Sequence, residues 1–333
     1  MRLFIAPGII AVIALGAVLV WGGVPALFLA ATLAVLEVTL SFDNAVVNAK
    51  VLEEMSEKWQ KRFLTWGILV AVFGTRLVLP IAIVSAVALT SPIVITNLAL
   101  YNPTAYSTLL ISADAAIKAF GGAFLLMVSL KYFFNVGKKV HWFGLVEERL
   151  SRWGRVEAIE IALALAILLG VSYLSHDSVE TILHAGIIGI IIFTITEGIA
   201  HGLGVETKGV VRNGAMLFVY LNVLDSAFSL DGVIGAFALT TALPIIVVGL
   251  GIGAFFVRSM TVYLVRQKTL SSLRYLEHGA HWAVFGLALS MFAGLIVHIP
   301  EVFIATIGLV FIGLAYVSSR REIKAQDIAD TLS

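Results

Sequence analysis

The feature that most limits what this chain can fold into is its run of long apolar stretches. Ten of them occur within 333 residues, roughly 4–21, 24–49, 63–90, 112–136, 158–174, 180–203, 213–239, 242–265, 279–297 and 301–319. A helix needs about 20 mostly apolar residues to cross a bilayer. Hydrophobic residues make up 60% of the sequence and charged residues 13%, whereas soluble domains carry roughly 45–50% and about 25%. A water-soluble core of this size cannot hide so much apolar surface. The expectation is an all-α polytopic membrane protein of about ten transmembrane helices, a single transmembrane domain over 1–333 with only short loops between its spans.

Basic residues set the orientation. Nineteen of the 22 Lys and Arg fall on one side of these spans, and the opposite loops near 22–23, 91–111, 175–179, 240–241 and 298–300 contain none. The remaining three, Arg76, Lys118 and Arg258, lie inside spans. Cytoplasmic loops are the ones enriched in Lys and Arg, so both termini are expected in the cytoplasm, with the cytoplasmic membrane of a prokaryote as the location. Arg2 followed by an apolar run also has the outline of a signal peptide, although it lacks a clear small-residue cleavage site. Removal of 1–21 would move the N-terminus outside. The linker 137–157 is polar yet carries Trp142, Phe143, Leu145, Leu150 and Trp153. It reads either as a helix on the cytoplasmic surface or as a solvated loop.

Against this apolar background, carboxylates and amides inside spans stand out. LEVTLSFDNAVVNAK (36–50) holds Glu37, Ser41, Asp43, Asn44 and Asn48, and LDSAFSLDGVIGA (224–236) holds Asp225, Ser229 and Asp231. At an offset of 188 the two share one pattern: acid, three residues, Ser, one residue, Asp. The next spans correspond too, with FGTRLVLPIAI around Arg76 resembling FFVRSMTVYLV around Arg258. A weaker match pairs KAFGGAFLL from Lys118 with AVFGLALSM from Ala283. Spans two to four (24–136) therefore read as a first repeat and spans seven to nine (213–297) as a second. Because spans two and seven run in opposite directions, the repeat is inverted, as in many secondary transporters whose site lies near the midplane.

A charge at a helix centre costs about 2.5–3.5 kcal/mol on insertion scales, so intramembrane acids are functional candidates. Glu37, Ser41, Asn44 and Asn48 share a helical face, as do Asn222, Asp225 and Ser229. Asp43 and Asp231 sit about 120° around an ideal helix from their partners, so either the acids line a wide cavity or the helices break near SFDN and SLDG. Gly232 suits a break; nothing in the first repeat demands one. Carboxylates, hydroxyls, amides and carbonyls are hard oxygen donors suited to Mg, Ca and Mn. Four acids against Arg76 and Arg258 leave a formal charge of −2, which one divalent cation neutralises. The plainer role for these acids is to pair with the two arginines and lock helices together. Glu197 and His201, four apart, form a proton relay or gate, or a packing hydrogen bond. Asp114 and Lys118 suggest a local ion pair, Glu277 a solvated edge residue, and His184, His278 and His281 packing or interfacial residues. GLGIGAFF (249–256) indicates close helix packing.

The chain has no cysteine, which excludes disulfides, thiolate metal sites and cysteine nucleophiles. A net charge of +1 without a basic cluster gives no sign of nucleic acid. No P-loop, H-E-x-x-H or G-x-S-x-G occurs, so no enzyme activity and no cofactor are expected, and membrane lipid is the surrounding partner. A homo-oligomer is left open.

LEVTLSFDNAVV with the later LDSAFSLDGV, and an arginine in each following span, resembles the TerC-like membrane proteins associated with tellurium resistance and related to LysE-type exporters. RYLEHGAHWA (274–283) resembles a branch of that group without an assigned function. The resemblance covers roughly 24–297. It implies export of manganese or a related divalent cation as transported substrate, perhaps against protons, with Glu37, Asp43, Asn44, Asp225 and Asp231 as metal ligands and Ser41, Ser229, Asn222, Arg76 and Arg258 in support. The family pattern has Asn after both aspartates, whereas this chain has Gly232 at the second, one side-chain ligand fewer. Two alternatives stand beside it: a scaffold of a membrane stress-response complex with structural carboxylates, and, remotely, an intramembrane aspartyl protease.

Overall fold

The computed structural model describes residues 2–175, 177–202, 214–297 and 299–332. Lys208 and Arg212, used above for orientation, lie outside the described residues, as do the side chains of His201 and Asp231. Helix accounts for 86% of the described residues and no strand occurs among them. Among the described residues, five helices are long and apolar enough to cross a membrane: Ile5–Leu40, Glu57–Val87, Asp114–Phe133, Val179–Ile199 and Leu243–Arg266. Shorter apolar helices include Pro92–Tyr101, Ile159–Leu174 and Gly214–Leu230. Large apolar side chains such as Val20, Phe28, Trp66, Tyr101 and Tyr173 lie outward and exposed. Apolar surface that extensive is untenable in water and suits lipid.

Helix α1 (Ile5–Leu40) would be about 54 Å long if straight, against a hydrocarbon core of roughly 30 Å. It is not straight. Gly23 interrupts it at φ 69°, ψ −169°, two residues before Pro25, at the loop expected at 22–23. That backbone region is essentially restricted to glycine. A second interruption at Ser41 separates α1 from α2 (Phe42–Glu53).

The next helical run is continuous but irregular: α3 (Glu57–Leu69), a π-helical stretch (Val70–Val78) and α4 (Leu79–Val87). A widened turn has a visible cause here. The Ala71 carbonyl accepts from the Thr75 hydroxyl and from the Arg76 guanidinium, so side chains intrude on the backbone ladder. The segment 91–111, expected as a loop, is instead two short helices, α5 (Pro92–Tyr101) and α6 (Pro103–Ser112). Its prolines occupy first-turn positions, where no N–H is needed, behind the caps Ser91 and Asn102.

The second half is more regular. After α7 (Asp114–Phe133) come α8 (Gly144–Trp153), α9 (Ile159–Leu174), α10 (Val179–Gly202), α11 (Gly214–Leu239), α12 (Leu243–Arg266), the single turn α13 (Thr269–Ser272), α14 (Leu276–Ala293) and α15 (Glu301–Leu332). Helix α11 passes through Gly232 without a break. The interruption thus falls at Ser41, in the half where the sequence demanded none, and not at Gly232.

Packing places the polar segments centrally. Helix α1 lies along α12, α2 contacts α12, α14 and α11, and the π-helical stretch lies against α11 and α12. Glycines permit the α1–α12 approach: a Cβ at Gly249 would stand 2.6 Å from Leu33 Cβ, and one at Gly253 2.5 Å from Glu37 Cβ. The glycine-rich segment thus packs closely, as expected, because neither position carries a Cβ. Helices α7 and α14, bearing the weaker repeat match, pack on each other, with Gly122 facing Met291 and Phe292. Along α1 and α2 the polar run 37–44 falls between two apolar clusters, one containing Leu33 and Leu250 and the other Ala45 and Leu224.

Candidate functional site

Glu37, Asp43, Asp225, Arg76 and Arg258 are each 8% exposed or less. Burying a charge is costly unless it is paired and hydrogen bonded, and four of the five are paired. Arg76 Nη2 donates to Glu37 Oε1, which also accepts from Ser41 Oγ at 3.2 Å. Arg258 Nη2 donates to Asp225 Oδ2 at 2.8 Å, while its Nη1 donates to the Phe63 carbonyl at 3.2 Å. The Arg258 guanidinium also sits 4.2 Å from the Phe63 ring centre, and a Cβ at Gly67 would collide with it. In each half, the acid bonds the arginine of the following helical run.

Besides the Arg258–Phe63 contact, a side-chain hydrogen bond joins the halves: Asn44 Nδ2 donates to Asp225 Oδ1 at 2.7 Å. Asp43 differs from the other acids. Its Oδ1 accepts the Asn44 N–H at 2.9 Å, its Oδ2 lies 4.0 Å from where a Gly308 Cβ would be, and no cationic side chain pairs with it among the described residues. Several buried oxygens have no hydrogen-bond partner among the described residues: Asn44 Oδ1, Asn48 Oδ1, Asn222 Oδ1 and Ser229 Oγ. Asn222 Nδ2 is occupied by the Phe218 carbonyl. Native structures leave few buried polar atoms unsatisfied, and each calls for a cause such as a bound ion or water.

The expected ligands are therefore brought together in part. Asn44 and Asp225 meet, and Glu37 Oε2 lies beside Gly232 of the opposite half, 3.2 Å from where a Cβ would stand. The carboxylates do not gather into one cluster: no group of three or more His, Cys, Asp or Glu able to hold a metal occurs among the described residues. Glu197 lies 3.5 Å from Lys131, which also stands 3.5 Å from Glu160. The proposed partner of Glu197, His201, lies outside the described side chains. Lys118 pairs with Asp114 at 2.5 Å, as expected.

A cavity of about 430 Å³ opens one turn and more beyond Asp43, lined by Val47, Lys50, Lys131, Glu160, Glu197 and Glu277 among others. Glu277, expected to be solvated, lines this cavity and pairs with Lys50 at 3.1 Å. His281 stacks on Tyr132 and bonds the Glu277 carbonyl through Nδ1. Because a carbonyl only accepts, that nitrogen carries the proton.

Glu147 is a functional-looking residue that the sequence did not single out. Fully buried at the start of α8, it accepts from Trp282 Nε1 and pairs with His278 Nδ1, both at 2.9 Å, and with Lys138 at 2.8 Å. The N–H groups of Trp142 and Phe143, just ahead of the helix, point at the same carboxylate. Burial alone would raise this carboxyl, but the His278, Lys138 and Trp282 partners outweigh it and hold it well below the usual range. The linker is thus helical in its second part and anchored to α14. RYLEHGAHWA supplies the His and Trp of that anchor.

Residues 42–326 match the family described as "Protein of unknown function (DUF475)". The chain belongs to that family. The match runs from the start of α2 into α15, so it takes in Asp43, Asn44, both arginines and the whole second half of the site. It begins after Glu37. No curated protein and no solved structure matches the chain.

Proposed function

We propose that this protein is a secondary transporter that exports a divalent metal cation, Mn²⁺ being the favoured ion, in exchange for protons, through about ten spans arranged as an inverted repeat. The observation that carries this reading is a buried carboxylate, Asp43, without a cationic partner among the described residues, on a helix hydrogen bonded to another that bears unpartnered oxygens. A buried carboxylate in that position calls for a proton or a cation to neutralise it. The waiting atoms are amide and hydroxyl oxygens, hard donors of the kind that bind Mn, Mg and Ca.

The matched pairs Glu37–Arg76 and Asp225–Arg258 support the repeat. A path of carboxylates rather than a tight cage suits a transported ion, which must bind and also leave. Outward direction and the preference for manganese draw on the resemblance of the two acid motifs to TerC-like proteins.

The same two ion pairs favour a second reading, a scaffold in which the acids only lock helices. A protease dyad would need two acids sharing a proton, whereas Glu37 and Asp225 each bond their own arginine.

Calorimetric titration of purified protein with Mn²⁺, Ca²⁺ and Mg²⁺ separates the two. The transporter reading predicts saturable Mn²⁺ binding that weakens at least about tenfold, or 1.4 kcal/mol, in Asp43→Asn while the unfolding midpoint holds or rises. Undiminished binding in that variant, or none in the wild type, would favour the scaffold.

A further inference from the structure

The two halves of the site make the same cross-contact with different residues. At the offset of 188, Glu37 corresponds to Asp225 and Asn44 to Gly232. Asp225 of the second half meets Asn44 of the first, Oδ1 to Nδ2, at 2.7 Å. Its counterpart is Glu37 of the first half against Gly232 of the second, where Glu37 Oε2 would stand 3.2 Å from a Cβ. The shorter acid faces the longer side chain, and the longer acid faces no side chain at all. Among the described residues, the hydrogen bonds to the Glu37 carboxylate fall on Oε1, from Arg76 and Ser41, and Oε2 is the oxygen turned toward the glycine. An asparagine at 232 would need the space that this carboxylate oxygen occupies. The stem of Glu37 is confined as well, since Gly253 lies directly beneath it and would clash if it carried a Cβ.

We infer that Glu37 and Gly232 form a size-matched pair across the halves, and that this pair sets cation specificity by presenting Glu37 Oε2 where the other half presents the Asn44 amide. The selectivity claim rests on the transport reading; the pairing does not. One half then offers an acid with an amide beside it and the other an acid alone, so the site is one neutral oxygen short of symmetric. Ca²⁺ takes six to eight oxygen ligands, whereas a smaller ion such as Mg²⁺ holds to an octahedral six. The asymmetric set therefore favours the smaller ion.

A double-mutant cycle on the full-length protein tests both claims, with thermal unfolding in detergent and Mn²⁺ and Ca²⁺ flux in proteoliposomes as the two measurements. Gly232→Asn alone drives an amide into Glu37, and Glu37→Asp alone withdraws the acid from Arg76. Each is expected to cut Mn²⁺ flux about tenfold and to lower the unfolding midpoint. The double variant should recover both, to within about threefold of wild-type flux, because contacting residues couple where distant ones simply add. Its ratio of Ca²⁺ to Mn²⁺ flux should rise at least about threefold, from the added amide oxygen. Losses that simply add in the unfolding midpoint would overturn the pairing. An unchanged ion ratio in a recovered double variant would overturn the selectivity claim. Coupled midpoints without wild-type flux for either ion would sustain the pairing, overturn the transport reading, and take the selectivity claim with it.

Discussion

Asp43 and Glu147 are both buried carboxylates, and their surroundings make them opposites. Asp43 has a backbone N–H and, among the described residues, no cation, whereas Glu147 has a lysine, a histidine, an indole and two backbone N–H groups directed at it. Removing one partner from a buried charged network costs about 3–5 kcal/mol, so Glu147→Ala should lose about that much in chemical unfolding. A loss under about 1 kcal/mol would show that the linker is not anchored there. The sign of the pH effect follows from the lowered carboxyl. Its contribution is present above the ordinary value of 4.5 and is lost as pH falls through and below it. The gap between wild type and variant should therefore narrow on going from pH 7 to pH 4. Asp43 was legible in the sequence because an acid within an apolar run is conspicuous. Glu147 was not, because its partners His278 and Trp282 lie 131 and 135 residues away and an acid in a polar linker looks ordinary.

At the scale of elements, the sequence showed where helices run better than how they are interrupted. Gly23 was legible as a boundary. Gly23→Ala should cost about 1–3 kcal/mol, since the φ of 69° and ψ of −169° it adopts are strained for any other residue. An unfolding midpoint unchanged by that substitution would mean that the kink relaxes without penalty. A break near SFDN was one of two alternatives in the sequence, and nothing there decided for it, because neither glycine nor proline marks Ser41. It matters for the site, since the angle between Glu37 and Asp43 is no longer that of an ideal helix. The π-helical stretch was equally hidden: it arises where Thr75 and Arg76 take the Ala71 carbonyl, while the same guanidinium bonds Glu37 from a distant helix. Prolines misled at 91–111. Pro92 and Pro103 open helices there and do not end them.

For the whole molecule, the charge asymmetry of the loops carries a topology that labelling can check without interference, because the chain has no cysteine of its own. Lys58→Cys should react with an impermeant thiol reagent only from the cytoplasmic side and Thr90→Cys only from outside, as the ten-span orientation requires. Labelling of both from one side would undo the antiparallel arrangement of the halves. The central claim is that the buried carboxylates move a divalent cation, and proteoliposome flux tests it most directly. Wild type, Glu37→Gln and Asp225→Asn would be compared across Mn²⁺, Ca²⁺, Mg²⁺ and Zn²⁺. Saturable Mn²⁺ flux that disappears in both folded variants is the predicted result. Flux for none of the four ions in a folded wild type, or equal flux in all three proteins, would contradict it.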